Sequence, residues 1–166
     1  LPSNTALTVG KKIDYVLIKT FNQYTFEESQ VILAKNLIDK QFSGKFEKVN
    51  SGDEVNSYEK GAKSIPYLIL KEFKGVELLE TRYEQLMNFS LPNDHPENAF
   101  RVIAGDFVTT EDGTGIVHTA PTFGADDAMV AKLAQPEVPP MLVKDENNKL
   151  VPLVNLQGKF RPEMGD

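Results

Sequence analysis

Gly113-Thr114-Gly115-Ile116-Val117-His118-Thr119-Ala120-Pro121-Thr122-Phe123-Gly124-Ala125-Asp126-Asp127 reads as a strand, a turn and the first turn of a helix. The β-branched run ends at Ala120-Pro121, Thr122-Phe123-Gly124 breaks the pattern, and a short helix is expected over 125–134. His118 then stands near a strand end. Asp126 and Asp127 stand where free backbone N–H groups and the helix dipole favour an anion. The bland reading of the same residues is a capped helix beside a structural histidine.

Outward from this stretch, 6–10 and 14–21 carry the β-branched and aromatic content of strands, as does Ile65–Phe73, with Gly75–Leu79 continuing it. Phe100–Val108 and Thr114–Thr119 are expected to pair as a hairpin around Glu111-Asp112-Gly113. Pro139–Lys144 and Leu150–Val154 flank a turn at Asn147-Asn148. Thr25 followed by Glu28 has the form of a capping box, and Val31, Ala34, Ile38 and Phe42 follow at helical spacing, which predicts a helix over 26–41. Residues 43–64 are polar and glycine-punctuated, expected as loop with a short helical turn, and 88–98 is a turn-rich loop. Strands dominate, so the expected class is mixed and β-dominated: one domain over 1–166, with a barrel-like core and peripheral helices.

The 166 residues suffice for one core, and the absence of cysteine excludes disulfides, thiolate catalysis and cysteine-held metals. That agrees with a cytoplasmic location. No apolar run approaches the roughly 20 residues of a membrane span, and no signal peptide is visible. Asn88-Phe89-Ser90 matches a glycosylation sequon, a pattern that chance supplies often. Net charge is −6, with 11 basic and 11 acidic residues in 1–80 against 7 and 13 in 81–166. Such a balance allows at most the end of a nucleic acid to be held, and the acidity is more simply a solubility feature. Lysines 35, 40, 45, 48, 60 and 63 are interleaved with Glu47, Asp53, Glu54 and Glu59, which favours a solvated mixed-charge surface over an RNA-binding one.

Gly113-x-Gly115-x-x-His118 lacks the third glycine of a dinucleotide loop, and neither a Walker loop nor a Gly-x-Ser-x-Gly elbow occurs. Of the two histidines, His95 in its Asn-Asp-His-Pro loop is expected to be solvated. One histidine with two aspartates makes a poor zinc site, so no metal is expected.

The fifteen-residue run resembles the core motif of the editing domain inserted in isoleucyl-, valyl- and leucyl-tRNA synthetases. That motif has Gly-Thr-Gly, two apolar residues, a specificity position, a proline shortly after, and an acidic residue nine positions beyond the specificity position. His118 and Asp127 occupy those two places, and histidine there is similar to isoleucyl enzymes, where valyl ones carry Lys and leucyl ones Met. Leu1–Leu7, Lys74–Leu78 with Tyr83 and Leu86, Phe100–Ala104, Asp106–Val108 and Pro140–Val143 extend the resemblance over most of the chain.

The resemblance implies hydrolysis of valine wrongly esterified to the 3′ end of the isoleucine tRNA. One missing methylene is worth only about 1–3 kcal/mol of selectivity, a limit for which this pair of amino acids is the standard illustration. By the resemblance, Asp127 would hold the substrate's α-ammonium and His118 would limit side-chain size. Thr114, Gly115, Thr119, Ala120, Phe123, Gly124 and Asp126 would complete the substrate site. Water would be the nucleophile, and no cofactor is implied; ATP and Mg belong to the catalytic domain, whose HIGH and KMSKS signatures are not in this chain. The implied partners are the tRNA 3′ end and the rest of the synthetase, with no membrane.

Relative to the family the chain is truncated at both ends. The threonine-rich peptide ending in Pro-Trp-Thr would precede Leu1, and the chain stops at Glu163-Met164-Gly165-Asp166. The expectation is a fragment that folds and hydrolyses mischarged tRNA feebly or not at all. The competing classes are a non-catalytic structural or tRNA-binding insertion and an editor of valyl or leucyl type.

Overall fold

The computed structural model describes residues 2–85, 87 and 90–153. Asn88 and Phe89 of the sequon, Leu1, Leu86 and Val154 lie outside the described residues. The fold is β-dominated, with nine short strands, few helices and three open sheets among the described residues. Contacts gather the chain into two compact units. One is drawn from Leu1–Gly10, Leu78–Val108 and Val117–Asp166, the other from Lys11–Glu77 and Thr109–Ile116.

In the first unit, β1 (Ala6–Val9) lies between β6 (Arg101–Ala104) and β7 (Ile116–Thr119). β1 and β6 run parallel, with Ala6 opposite Arg101 and Val9 opposite Ala104. The hairpin expected of the strands at 100–108 and 114–119 therefore does not form. Ala6, Thr8 and Val9 are all fully buried: β6 and β7 satisfy both backbone edges of β1, and Val130 and Ala131 of the following helix pack over Ala6. Outside β6, Arg82 bridges antiparallel to Arg101. One line of main-chain hydrogen bonds crosses the whole sheet. Tyr83 N donates to Phe100 O (3.1 Å), Phe100 N to Thr5 O (2.7 Å), and Thr5 N to Thr119 O (3.1 Å).

Helix α3 (Ala125–Leu133) follows β7 as expected and packs Val130 and Ala131 against Ala6, Ile103 and Val138, with Phe107 and Ala134 alongside. β8 (Leu142–Lys144) and β9 (Leu150–Pro152) form the expected hairpin. Asp145 accepts the N–H groups of Asn147 and Lys149 at its turn, and Asn148 takes the left-handed conformation there (φ 62°).

The second unit is a four-stranded sheet in the order β3 (Glu28–Ala34), β2 (Asp14–Phe21), β5 (Ile65–Lys74), β4 (Phe46–Lys48). The predicted helix over 26–41 is replaced by strand β3, a 3-10 turn and the single-turn helix α1 (Ile38–Gln41). Thr25 is not an N-cap. The Asn22 side chain accepts the N–H groups of Tyr24 and Thr25, and Asn22 N reaches Glu27 O (2.8 Å), which closes a β2–β3 turn. Seven residue pairs then register β3 on β2, satisfying a backbone that the apolar spacing alone would let coil. Val31 is 37% exposed, so the supposed buried stripe was two elements read as one.

Within 43–64, β4 pairs parallel with β5, a strand the polar composition hid. The short helical turn there is α2 (Gly52–Asn56), capped by Ser51, whose hydroxyl accepts Glu54 N. Gly75–Leu78 is a 3-10 turn and not strand. Its start is held by Gly75 N on Ile13 O and by the Glu77 carboxylate accepting Lys74 N.

Candidate active site

The first unit brings together His118, Thr119, Ala120, Phe123, Gly124, Asp126 and Asp127. Thr114 and Gly115 belong to the second unit, where Thr114 O accepts Ala34 N (2.7 Å) and Gly115 O accepts the Tyr15 hydroxyl (2.6 Å). Gly115 has to be glycine: its φ is +78°, and a Cβ there would stand 2.7 Å from the Cβ of Ala34.

The link from β7 to α3 is tied at Ala120. Its carbonyl accepts Phe123 N (3.1 Å) and Gly124 N (3.3 Å), and its N–H donates to Asp127 Oδ2 (3.0 Å). Asp127, third residue of the helix, thus reaches back across the turn instead of standing free at the helix start. Gly124, at the N-cap, leaves room for it; a Cβ on Gly124 would meet Asp127 Cγ and Oδ2 at 3.0 Å. One carboxylate oxygen is engaged by the backbone, which fixes the direction of the other. Asp126, next to it, is exposed, and Phe123 is 47% exposed.

His118 is the most exposed residue of β7, though its ring is partly covered where Nδ1 meets Asn4, while the Thr119 side chain turns into the sheet. There the Thr8 and Thr119 hydroxyls meet at 2.6 Å, and Thr119 Oγ1 also donates to Val117 O (3.1 Å). Thr119 is fully buried, with its hydroxyl engaged inside the sheet.

The imidazole is held from behind. Asn4, only 3% exposed, sends Nδ2 to Ala6 O (2.8 Å) and to His118 Nδ1 (2.7 Å). A carbonyl can only accept, so Ala6 fixes the amide with its NH2 group toward the ring. His118 Nδ1 is then the acceptor and Nε2 carries the proton. Partial burial lowers the His118 pKa below its ordinary value, against the opposing pull of the Asp127 carboxylate. The lowered pKa favours the neutral ring, the form that leaves Nδ1 free to accept.

Sequence reasoning missed Asn4 and Tyr83 as parts of this site. The Tyr83 hydroxyl donates to Asn4 Oδ1, and burial raises the phenol's pKa, so it stays a donor. No local pattern marks either residue, because they lie 114 and 35 positions before His118. His95 is exposed, beside Glu97 at 3.2 Å.

No protein-family model matches the chain. An isoleucine–tRNA ligase of Cytophaga hutchinsonii is 53% identical over 166 residues, 100% of this chain and 14% of the relative. The isoleucine–tRNA ligase of Bacteroides fragilis is 49% identical over 160 residues (96% and 13%). That of Porphyromonas gingivalis is 48% identical over 163 residues (98% and 14%). The chain spans about 14% of the length of such curated relatives.

Proposed function

The chain belongs to the isoleucine–tRNA ligase family, and from that premise we propose that it is the editing module, hydrolysing valine from mischarged isoleucine tRNA. The observation that carries this reading is that one unit holds both a backbone-anchored carboxylate, Asp127, and an imidazole, His118, fixed by a buried amide. Asp127 Oδ2 is taken by Ala120 N; Oδ1 receives the substrate's α-ammonium. The His118 ring bounds the side-chain pocket, with Ala120, Phe123 and Gly124 forming the adjoining wall and Asp126 adding negative charge beside it.

Water attacks the ester carbonyl. The acyl–oxygen bond breaks, the departing ribose oxygen takes the proton that the attacking water gives up and becomes a hydroxyl, and valine leaves. No protein nucleophile is needed, since orientation supplies much of such a rate. The parent enzyme joins isoleucine to its tRNA with ATP, and its other domains grip the tRNA in the cytoplasm. This unit meets only the 3′ end and uses no cofactor of its own. A barrel-like core of the editing-domain type belongs to the same proposal.

The test is Asp127→Asn in the full-length ligase carrying this segment. Asparagine keeps an acceptor for Ala120 N and removes the charge. Losing a charged hydrogen bond costs about 1.5–3 kcal/mol, so valyl-tRNA deacylation should fall about 10- to 100-fold. Unchanged deacylation would remove Asp127 from the mechanism and leave a non-catalytic insertion. Threonyl- and norvalyl-tRNA offered beside valyl-tRNA distinguish editors of valyl and leucyl type.

A further inference from the structure

We propose that Tyr83 is a positioning residue for His118, acting through Asn4 to hold the imidazole in one orientation and as the Nε2–H tautomer. Its functional consequence rests on the editing reading above; its structural content does not.

Three side chains form a directed chain: Tyr83 hydroxyl to Asn4 Oδ1, and Asn4 Nδ2 to His118 Nδ1 at 2.7 Å. Ala6 O, at 2.8 Å, decides which way the Asn4 amide points. Tyr83 then supplies the partner that the amide oxygen requires, since Asn4 is buried away from water. Take away the phenol oxygen and Asn4 Oδ1 becomes a buried acceptor without a donor. The amide relieves this by turning over or swinging out, and either movement withdraws the N–H from His118 Nδ1. The imidazole proton is then free to occupy either nitrogen, and the ring loses the bond that fixes its plane. Hydrogen bonds in series polarise one another, so the donation from Tyr83 also strengthens the N–H that reaches His118.

The backbone sets these groups side by side. The line of main-chain bonds Tyr83–Phe100–Thr5–Thr119 runs one residue from Asn4 and one from His118. The Tyr83 ring also meets Phe100 edge-on, with centroids 6.1 Å apart. That packing survives in Tyr83→Phe, which makes the variant a clean removal of one oxygen. A ring held in place excludes isoleucine better than a loose one, so the expected consequence lies in substrate discrimination.

The experiment has two arms. In the 166-residue chain, whose histidines are only His95 and His118, nitrogen chemical shifts report each imidazole tautomer, with His95 as internal control. Wild type should show His118 protonated at Nε2 alone; Tyr83→Phe and Asn4→Ala should show both tautomers, with His95 unmoved. In the full-length ligase, Tyr83→Phe should narrow the preference for valyl- over isoleucyl-tRNA about two- to tenfold, the factor a net hydrogen bond commands. It should have no further effect in an Asn4→Ala background.

A single tautomer retained in Tyr83→Phe overturns the proposal. So do unchanged discrimination and a Tyr83→Phe effect undiminished by Asn4→Ala. Failure of the editing reading is separate: it appears as unaltered deacylation in Asp127→Asn, whatever the tautomer measurement gives.

Discussion

Asn4 and His118 stand 114 positions apart in the chain and meet at 2.7 Å, amide nitrogen to imidazole Nδ1. The contact makes the ring an acceptor on its inner side and a donor on its outer side. It also disfavours the imidazolium, which would place a second N–H against the amide's own.

The pH dependence of stability follows. With its folded pKa below the ordinary 6.5, His118 binds fewer protons folded than unfolded in the interval between the two values. Its contribution is therefore complete above about pH 6.5 and is lost as pH falls through the depressed folded value. Thermal unfolding of wild type and His118→Gln from pH 8 to pH 5 checks this. Wild type should lose stability relative to the variant on the acid side, whereas parallel curves would show that the histidine is not desolvated.

Gly124→Ala tests the packing around Asp127. The backbone there (φ −120°, ψ 132°) accepts any residue, so the added Cβ acts on the carboxylate it would meet at 3.0 Å. Stability should drop by less than about 1 kcal/mol, as expected for alanine replacing glycine at an N-cap. Deacylation by the full-length ligase should fall several-fold, because the carboxylate has to move. Kinetics alongside chemical denaturation would separate the two effects.

Gly113 and Gly115 form a matched pair. Both have positive φ, +71° and +78°, yet a Cβ on Gly113 meets nothing within 4 Å while one on Gly115 meets Ala34 at 2.7 Å. Gly113→Ala should cost about 1–2 kcal/mol for the left-handed backbone alone. Gly115→Ala should cost roughly 1–3 kcal/mol more, for overpacking against β3. Urea titration of both variants reads the difference directly; equal losses would mean β3 yields without penalty.

The buried Thr8–Thr119 contact should behave asymmetrically. Thr119 Oγ1 already donates to Val117 O, so the Thr8 hydroxyl supplies the proton between them. Thr119→Val strands that hydroxyl and should cost about 1–3 kcal/mol. Thr8→Val leaves Thr119 with its carbonyl partner and should cost about 0.5–1.5 kcal/mol. The double variant, with no orphaned group, should recover much of the sum in a double-mutant cycle.

Elements whose signal is local were legible in the residues alone. Thr119 to Gly124 announces strand, turn and helix in order, α3 begins at Ala125, and Asp127 falls in its first turn nine positions after His118. Asp14–Phe21 reads as strand because its β-branched and aromatic residues suit a pleated, half-buried surface. Such features depend on neighbours within a few residues, and the chain itself supplies those neighbours. The tertiary structure alone decided the rest. Glu28–Ala34 is a strand because β2 offers its backbone seven partners; β7 lies beside β1 because the buried backbone of β1 needs a hydrogen-bonding partner along each edge. Asn4, Tyr83 and His118 form one hydrogen-bonded chain only after parallel pairing has closed the loop between β1 and β6. A hydrogen bond acts over about 3 Å and is indifferent to the length of chain between its ends, so sequence proximity carries no trace of it.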